Sequence, residues 1–480
     1  MKRIFLPLLL CGVPALLESA RVNLPPCSRH VLSNGVVVNL IPRTDTPLID
    51  IRAVIRGGAE SDPGGMAGLA SVVADLLRHG TATRTAQKFS EELDSMGATF
   101  EPVTDRQSTA ISMEFLVRHS ERALDLFSDA ILRPGFPEPE VRRVLAQSSD
   151  YARSTKDSPG LAAALYFRAF MFGSEHPYSR PVGGDEITLR GIDRRAAIAY
   201  HRRMYVGKNL TLIVVGDFES APMLERLKKQ FETIRAGERY EWIEDRAPEP
   251  SASRVLLVDR PGAHATHFVI GRPGISRTNP DRVAASLVNA IFGGGFTSML
   301  NSALRVDSGL TYGAQCVLDQ NRLTGAISIR SDTATEYTGQ AVALALSVMR
   351  ALALHGISQQ QLAAAKRYLK GNYLSEALDT ADQVAVTVSE RELYSLGFED
   401  EAGLFDRIDA ITLDEANAVV KKYFTTSGVF IILVGDAARI RNVALRYDAA
   451  PREIPITEPG YEIFQPMEPA GGVQVSSAAP

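Results

Sequence analysis

One unit recurs in this chain at a separation of 219 residues, so that Val214 answers Leu433. Arg202-Arg203-Met204-Tyr205, followed by the run Leu210 to Gly216 and Asp217, matches Lys421-Lys422-Tyr423-Phe424, followed by Val429 to Gly435 and Asp436. The residues just before also align, Ile192, Ala197 and Arg202 with Ile411, Ala416 and Lys421. Each copy reads as an amphipathic helix, a turn, and a wholly apolar strand closing on Gly-Asp, the pattern of a central buried strand. A period this long means domain duplication rather than a solenoid. The chain must therefore fold as two halves of one design.

The remaining sequence divides accordingly. The first half is expected over residues 26–243 and the second over 254–450, joined by a charged, proline-containing linker at 244–253. Residues 451–480 are proline-rich and read as an extended or disordered tail. In the first half, strands are expected at Val36–Ile41, Ile49–Ile55 and Ala110–Leu116, with helices at Ala86–Met96 and Glu121–Leu132. That mixture points to the α+β class, as a sandwich of sheet and helices. With 480 residues, 45% of them hydrophobic, the chain has enough apolar surface for more than one core.

Charge excludes little but suggests no polyanion partner. The net charge is −4, from 52 basic and 56 acidic residues well mixed along the chain. Neither nucleic acid nor an anionic membrane surface finds an electrostatic argument there. Met1-Lys2-Arg3, the apolar run Ile4 to Leu17 and the small residues ending at Ala20 read as a signal peptide over residues 1–20. The run is short and broken by Pro7 and Pro14, which argues against an uncleaved anchor. No later stretch reads as a membrane span, so the mature chain is expected to be exported, to the periplasm, without a membrane contact. Cys27 and Cys316 remain after cleavage, and two unpaired thiols are the expected state.

Chemistry enters at Gly68-Leu69-Ala70-Ser71-Val72-Val73-Ala74-Asp75. This stretch and its glycine-rich surroundings resemble the M16 peptidases, the family of insulinase, pitrilysin and the mitochondrial processing peptidase. Active members carry His-x-x-Glu-His on this helix, two imidazoles to hold zinc and a carboxylate to act on the bound water. Here the three positions read Ser71, Ala74 and Asp75. The family's third ligand, a glutamate on a later helix, falls near Gln147 to Asp157, and no glutamate lies between Glu140 and Glu175. Asp150 and Asp157 are the nearest carboxylates and do not replace two histidines. This chain is therefore expected to hold no metal and, alone, to cleave nothing.

The second half keeps more. Leu304-Arg305-Val306-Asp307-Ser308-Gly309-Leu310-Thr311-Tyr312-Gly313 resembles the Arg/Tyr segment of M16 C-terminal halves. The resemblance implies that Arg305 and Tyr312 bind the substrate backbone and polarise the scissile carbonyl, as a guanidinium and a phenol are able to do. The sequence places Arg305 at a helix end and Tyr312 at a strand start. Isolated, an arginine would pair with Asp307 and a tyrosine would pack against a helix. Gly293-Gly294-Gly295 resembles the glycine-rich loop of the non-zinc subunit of the mitochondrial processing peptidase, which implies a substrate contact. A tight helix connection is an equal reading. His264 and His267, in an apparent strand, point to opposite faces by alternation. His79 and His176 also lack ligand partners at usable spacing.

The resemblance covers roughly Ser28 to Tyr447 and implies two M16-type domains that form half of a clamshell. An emptied metal site, an intact Arg/Tyr string and a signal peptide together imply the non-zinc subunit of a heterodimeric M16 zinc peptidase. Zinc would then sit in the partner subunit, and the substrate would be an unfolded peptide. The alternative is a non-catalytic peptide-binding or structural scaffold of the same fold.

Overall fold

The computed structural model describes residues 25–244, 252–397, 402–461 and 463. The expected signal peptide, linker residues 245–251, and tail residues 462 and 464–480 lie outside the described residues. Two six-stranded sheets organise the rest. The first contains β1 (Ser28–Val31), β2 (Val37–Pro42), β3 (Leu48–Arg56), β4 (Glu101–Thr104), β5 (Ser108–Leu116) and β6 (Leu210–Gly216), in the order β1-β2-β6-β3-β5-β4. The second contains β7 (Arg254–Asp259), β8 (Ala265–Pro273), β9 (Ala314–Gln320), β10 (Gly325–Ala334), β11 (Phe430–Gly435) and β12 (Arg452–Pro455), in the order β12-β7-β11-β8-β10-β9.

Without β1 and β12 the two orders are the same. β6 and β11 are the apolar strands of the repeat. Each runs parallel to one neighbour and antiparallel to the other, with Leu40 opposite Val214 and Leu257 opposite Leu433. Val214 and Leu433 thus occupy equivalent places. The helices of the repeat match as closely, at Arg194–Met204 and Leu413–Tyr423.

The outermost strands break the symmetry. The first sheet is finished by the N-terminal β1, antiparallel to β2, and the second by β12, parallel to β7. Since β12 begins at Arg452, the start of the tail is not extended coil. Ile456, Tyr461 and Ile463 beyond it are buried, and Tyr461 packs on Tyr166 with ring centroids 4.9 Å apart. An open sheet edge and three apolar side chains outweighed the proline content.

Seven helices belong to the first half: α1 (Leu69–Leu76), α2 (Ala86–Met96), α3 (Ser120–Leu132), α4 (Glu138–Ser154), α5 (Pro159–Phe172), α6 (Arg194–Met204) and α7 (Ser220–Phe231). The second half opens with α8 (Arg282–Asn289) and the single turn α9 (Met299–Asn301), followed by α10 (Thr338–His355), α11 (Gln359–Ala377) and α12 (Ala381–Tyr394). One face of each sheet packs on its own half's helices. Ile51, Ile55, Leu212 and Val214 meet Val73 and Phe127 in the first core, and Phe268, Ile270 and Leu433 meet Leu287 and Leu346 in the second. Two helical stretches, 282–307 and 335–355, are long and apolar enough to span a membrane, contrary to the reading of the sequence. Leu287, Val288, Leu300 and Leu304 of the first, and Val342, Leu346 and Met349 of the second, are buried in this core.

The other face of each sheet is covered by a helix from the opposite half. α5 lies on β8 and β11, where Phe167, Phe170 and Ala163 join Val269, Ile432 and Val434. α12 lies on β3 and β6, where Val384, Ala385 and Val388 join Val54, Ile213 and Val215. Chain halves and packed units therefore differ by one exchanged helix each. α5 is apolar on nearly every side, as a helix sandwiched between layers must be.

This outer layer also traps a carboxyl group. Asp50 on β3 is 2% exposed and its Oδ1 has no partner. Burial pushes its pKa up to about 7, against the pull of Arg52. A carboxyl raised in the folded state contributes stability below the unfolded value, and that contribution is lost as pH rises through about 7. Asp50→Asn is therefore expected to gain stability over wild type between pH 4 and pH 8, by up to roughly 1.4 kcal/mol per pH unit. Urea unfolding at several pH values measures it, and a difference independent of pH would refute it.

Candidate functional site

The first half retains a tightly built frame around α1. Asp62 holds the helix start, accepting from Gly68 N and Ala70 N at 2.8 Å each. Gly68 has φ of 97°, and a Cβ there would lie 2.7 Å from Gly183 O, so the 182–184 loop is pressed onto the first helical turn. Ser71 ties that loop down, its Oγ donating to Val182 O at 2.9 Å. Ala74 is buried, and Asp75 pairs with Arg78 at 3.2 Å. Ser71, Ala74 and Asp75, the positions expected to answer the zinc motif, are thus spent on packing and on contacts within the helix neighbourhood. Asp150 and Asp157 are exposed, and Asp150 pairs with Arg153.

His79 and His176 have structural partners. His79 meets Arg143 at 2.9 Å and Glu140 at 3.6 Å. His176 is buried, stacks on Phe172 and accepts from Tyr178 N. Among the described residues no three His, Cys, Asp or Glu side chains are grouped to hold a metal. A hydroxyl, a methyl and an ion-paired carboxylate do not fit zinc. Cys27 and Cys316 are both free thiols, and Cys316 is fully buried on β9.

The second half presents a cleft of 1090 Å³ between its glycine loop, the edge strand β9 and the start of α5. α8 widens into a π-type turn at Ala290–Gly294, which delivers Gly293-Gly294-Gly295 to the cleft wall. Gly293 is packed so closely that a Cβ would lie 2.5 Å from Cys316 N. Gly294 is exposed, and Gly295 is open enough for ordinary contact with Tyr368. The loop thus serves both readings, Gly293 as packing and the next two as cleft surface. Two asparagines fasten it to β9: Asn289 Nδ2 donates to Cys316 O at 3.1 Å, and Asn301 bridges Phe296 O and Ala314 N.

Arg305 and Tyr312 extend from a pinned backbone. Leu304 is buried, Leu310 N donates to Leu304 O, and Thr333 Oγ1 donates to Leu310 O at 2.7 Å. Ser331 Oγ donates to Thr311 Oγ1 and to Gly313 O. Against this anchorage Arg305 is exposed at the cleft rim, its guanidinium 4.6 Å from the centre of the Phe296 ring. It forms no ion pair with Asp307 or another carboxylate among the described residues. Tyr312 is 92% exposed and lies in the loop before β9, which starts at Ala314, so it neither begins a strand nor packs on a helix. The side chains of Thr311 and Ser331 hold that loop off the ladder. Phe296 and Val306 beside them are 69% and 67% exposed. Aromatic and aliphatic groups left in water around a cleft mark a binding surface.

Sequence reasoning missed several cleft residues. His267, expected with His264 in one strand, lines the cleft on β8, whereas His264 lies before that strand in an exposed turn. Arg330 and Asp332 on β10 line it too. The available signal was alternation: with Ile327 and Ile329 in the core, residues 330 and 332 had to face the other side.

Comparison with known proteins agrees with this architecture. The family profile described as insulinase (peptidase family M16) matches residues 38–171, and that of the peptidase M16 inactive domain matches residues 191–369. An uncharacterized zinc protease of Mycobacterium tuberculosis is 24% identical over 399 residues, 82% of this chain and 90% of that protein. The uncharacterized zinc protease YmxG of Bacillus subtilis is 20% identical over 397 residues, 83% of this chain and 95% of its own. A peptidase M16 inactive domain from Pseudomonas fluorescens superimposes with a TM-score of 0.80 at 24% identity, covering 86% of this chain and 98% of that one. A protease from Helicobacter pylori gives 0.78 at 20% identity, covering 86% and 100%. The duplicated sheets are joined by these matches, and the chain belongs to the M16 peptidase family.

Proposed function

We propose that this chain is the exported, non-zinc subunit of a two-chain M16 peptidase, which closes the chamber and supplies Arg305 and Tyr312 to the partner's active site. One observation carries the reading. In the same chain the zinc positions are given over to packing, while Arg305 and Tyr312 are held out on a pinned loop, exposed and without a carboxylate or helix to engage them. In a scaffold those side chains would have no reason to stay so exposed. As a donor pair they bind the backbone of an unfolded peptide and meet the negative charge that develops on the scissile carbonyl oxygen. The chain itself brings no metal to that step, and zinc belongs to the partner. Residues 1–20 would direct it to the periplasm.

The test is association in the native cell. A tagged chain recovered from the periplasm should bring down, in equal amount, a protein carrying His-x-x-Glu-His, and the eluate should hold one zinc per pair. Recovery of the chain only with itself, or from the cytoplasm, would contradict the proposal.

A further inference from the structure

Arg330 on the cleft floor has no carboxylate partner among the described residues. Arg330 lies on β10 with its side chain on the α5 side of the second sheet. It is mostly withdrawn from water, and its one side-chain hydrogen bond among the described residues is neutral, Nε to Ser328 Oγ at 3.3 Å. Two other withdrawn arginines meet a carboxylate: Arg84 reaches Asp129 at 2.7 Å and Arg52 reaches Asp382 at 2.5 Å. The carboxylate that acts on Arg330 is Asp319, and Arg168 has taken it in an ion pair.

Two further guanidiniums stand behind. Arg168 is 6% exposed and its Nη2 has no acceptor. Arg106 feels the same Asp319 and the same Arg168, and burial pulls it down to about 9. Burial likewise holds Arg330 below its ordinary basicity, with Asp319 working against that and Arg168 adding to it. All three cations draw on the half-buried Asp319, with Asp105 also acting on Arg106, and Arg330 is the member that opens on the cleft. Asp332, two positions along, sits opposite His267 in the strand register and forms no ion pair with Arg330 among the described residues.

We propose that Arg330 is a specificity-determining residue that binds a carboxylate of a peptide lying in the cleft, so that this chain selects acidic peptides. The inference rests on the cleft being a peptide site, as read above. A guanidinium fork matches a carboxylate in shape and charge. A withdrawn cation without a counter-charge is also unfavourable by itself, and a ligand that brings the counter-charge relieves it. A neutral peptide gives no such relief.

The test uses the mature chain alone, without the zinc subunit and without cleavage. Short unstructured fluorescent peptides are compared in pairs that differ by one Glu→Gln change, each with a free and an amidated C-terminus. The acidic member of a pair should bind about tenfold tighter or more, the scale of a charged hydrogen bond, and the advantage should shrink with salt. The amidated arm tells whether the carboxylate is a side chain or a chain end. Arg330→Gln should bring the affinity ratio to about one, and Arg330→Lys should keep part of it. Arg330→Met should melt no lower than wild type, because it removes an uncompensated charge. Equal affinity of acidic and neutral peptides, no binding of either, or a preference that survives Arg330→Gln would overturn the inference. The Arg305 and Tyr312 tests on the two-chain enzyme give their own answer whichever way this one falls.

Discussion

Replacing Arg305 with alanine, or Tyr312 with phenylalanine, is expected to lower the activity of the reconstituted two-chain peptidase by about a hundredfold, the scale of losing one oxyanion donor. Folding should be unaffected. Arg305 forms no ion pair among the described residues and loses only its exposed stacking on Phe296, and Tyr312 is 92% exposed, so neither change empties the core. The loss should appear in kcat as well as in kcat/KM, because such donors act most strongly on charge present in the transition state. The measurement is steady-state hydrolysis of a neutral unstructured peptide, with the variant chain in saturating excess over the zinc subunit. Wild-type rates from both variants would leave only a scaffold role.

A second large effect is expected far from the cleft. Phe167 is fully buried on α5 and lies across Gly271 of β8, where a Cβ would sit 2.6 Å from its ring. Phe167→Ala should cost about 3–5 kcal/mol, the range for emptying an aromatic site in a core. Since α5 comes from the first half and packs on the second sheet, the loss should not be confined to one half. The single tryptophan reports on this directly. Trp242 lies between Arg56 of β3, 4.2 Å from its ring centre, and Arg322 of the second half, 5.3 Å away. Urea unfolding followed by Trp242 fluorescence and by circular dichroism should shift to lower urea together. A Trp242 transition that stays in place would show that the halves unfold independently.

The repeat was legible because a buried central strand must be apolar nearly throughout, and β11 is so entirely and β6 but for Thr211. Helix exchange was not. The sequence of α5 shows that it is buried on nearly all sides, but periodicity names a face and never the partner of that face. The tail was misread because proline and charge set its composition, while its burial depends on three side chains and an open edge at β7. The Arg/Tyr loop was legible as a string of residues, yet the position of Tyr312 ahead of β9 depends on the hydroxyls of Ser331 and Thr311, which no local pattern exposes. Arg330 was passed over because a charge inside a strand ordinarily reads as a solvent-facing position. Only the tertiary arrangement shows that Arg168 has already taken Asp319.

The most direct measurement of the central claim is a titration. A purified zinc-bearing M16 chain from the same cell is held at fixed concentration, this mature chain is added, and hydrolysis of an unstructured peptide is followed. Complementation predicts that each chain alone is inactive and that activity rises to a plateau at one chain per zinc subunit. A zinc subunit already fully active by itself, or hydrolysis by this chain alone, would contradict it.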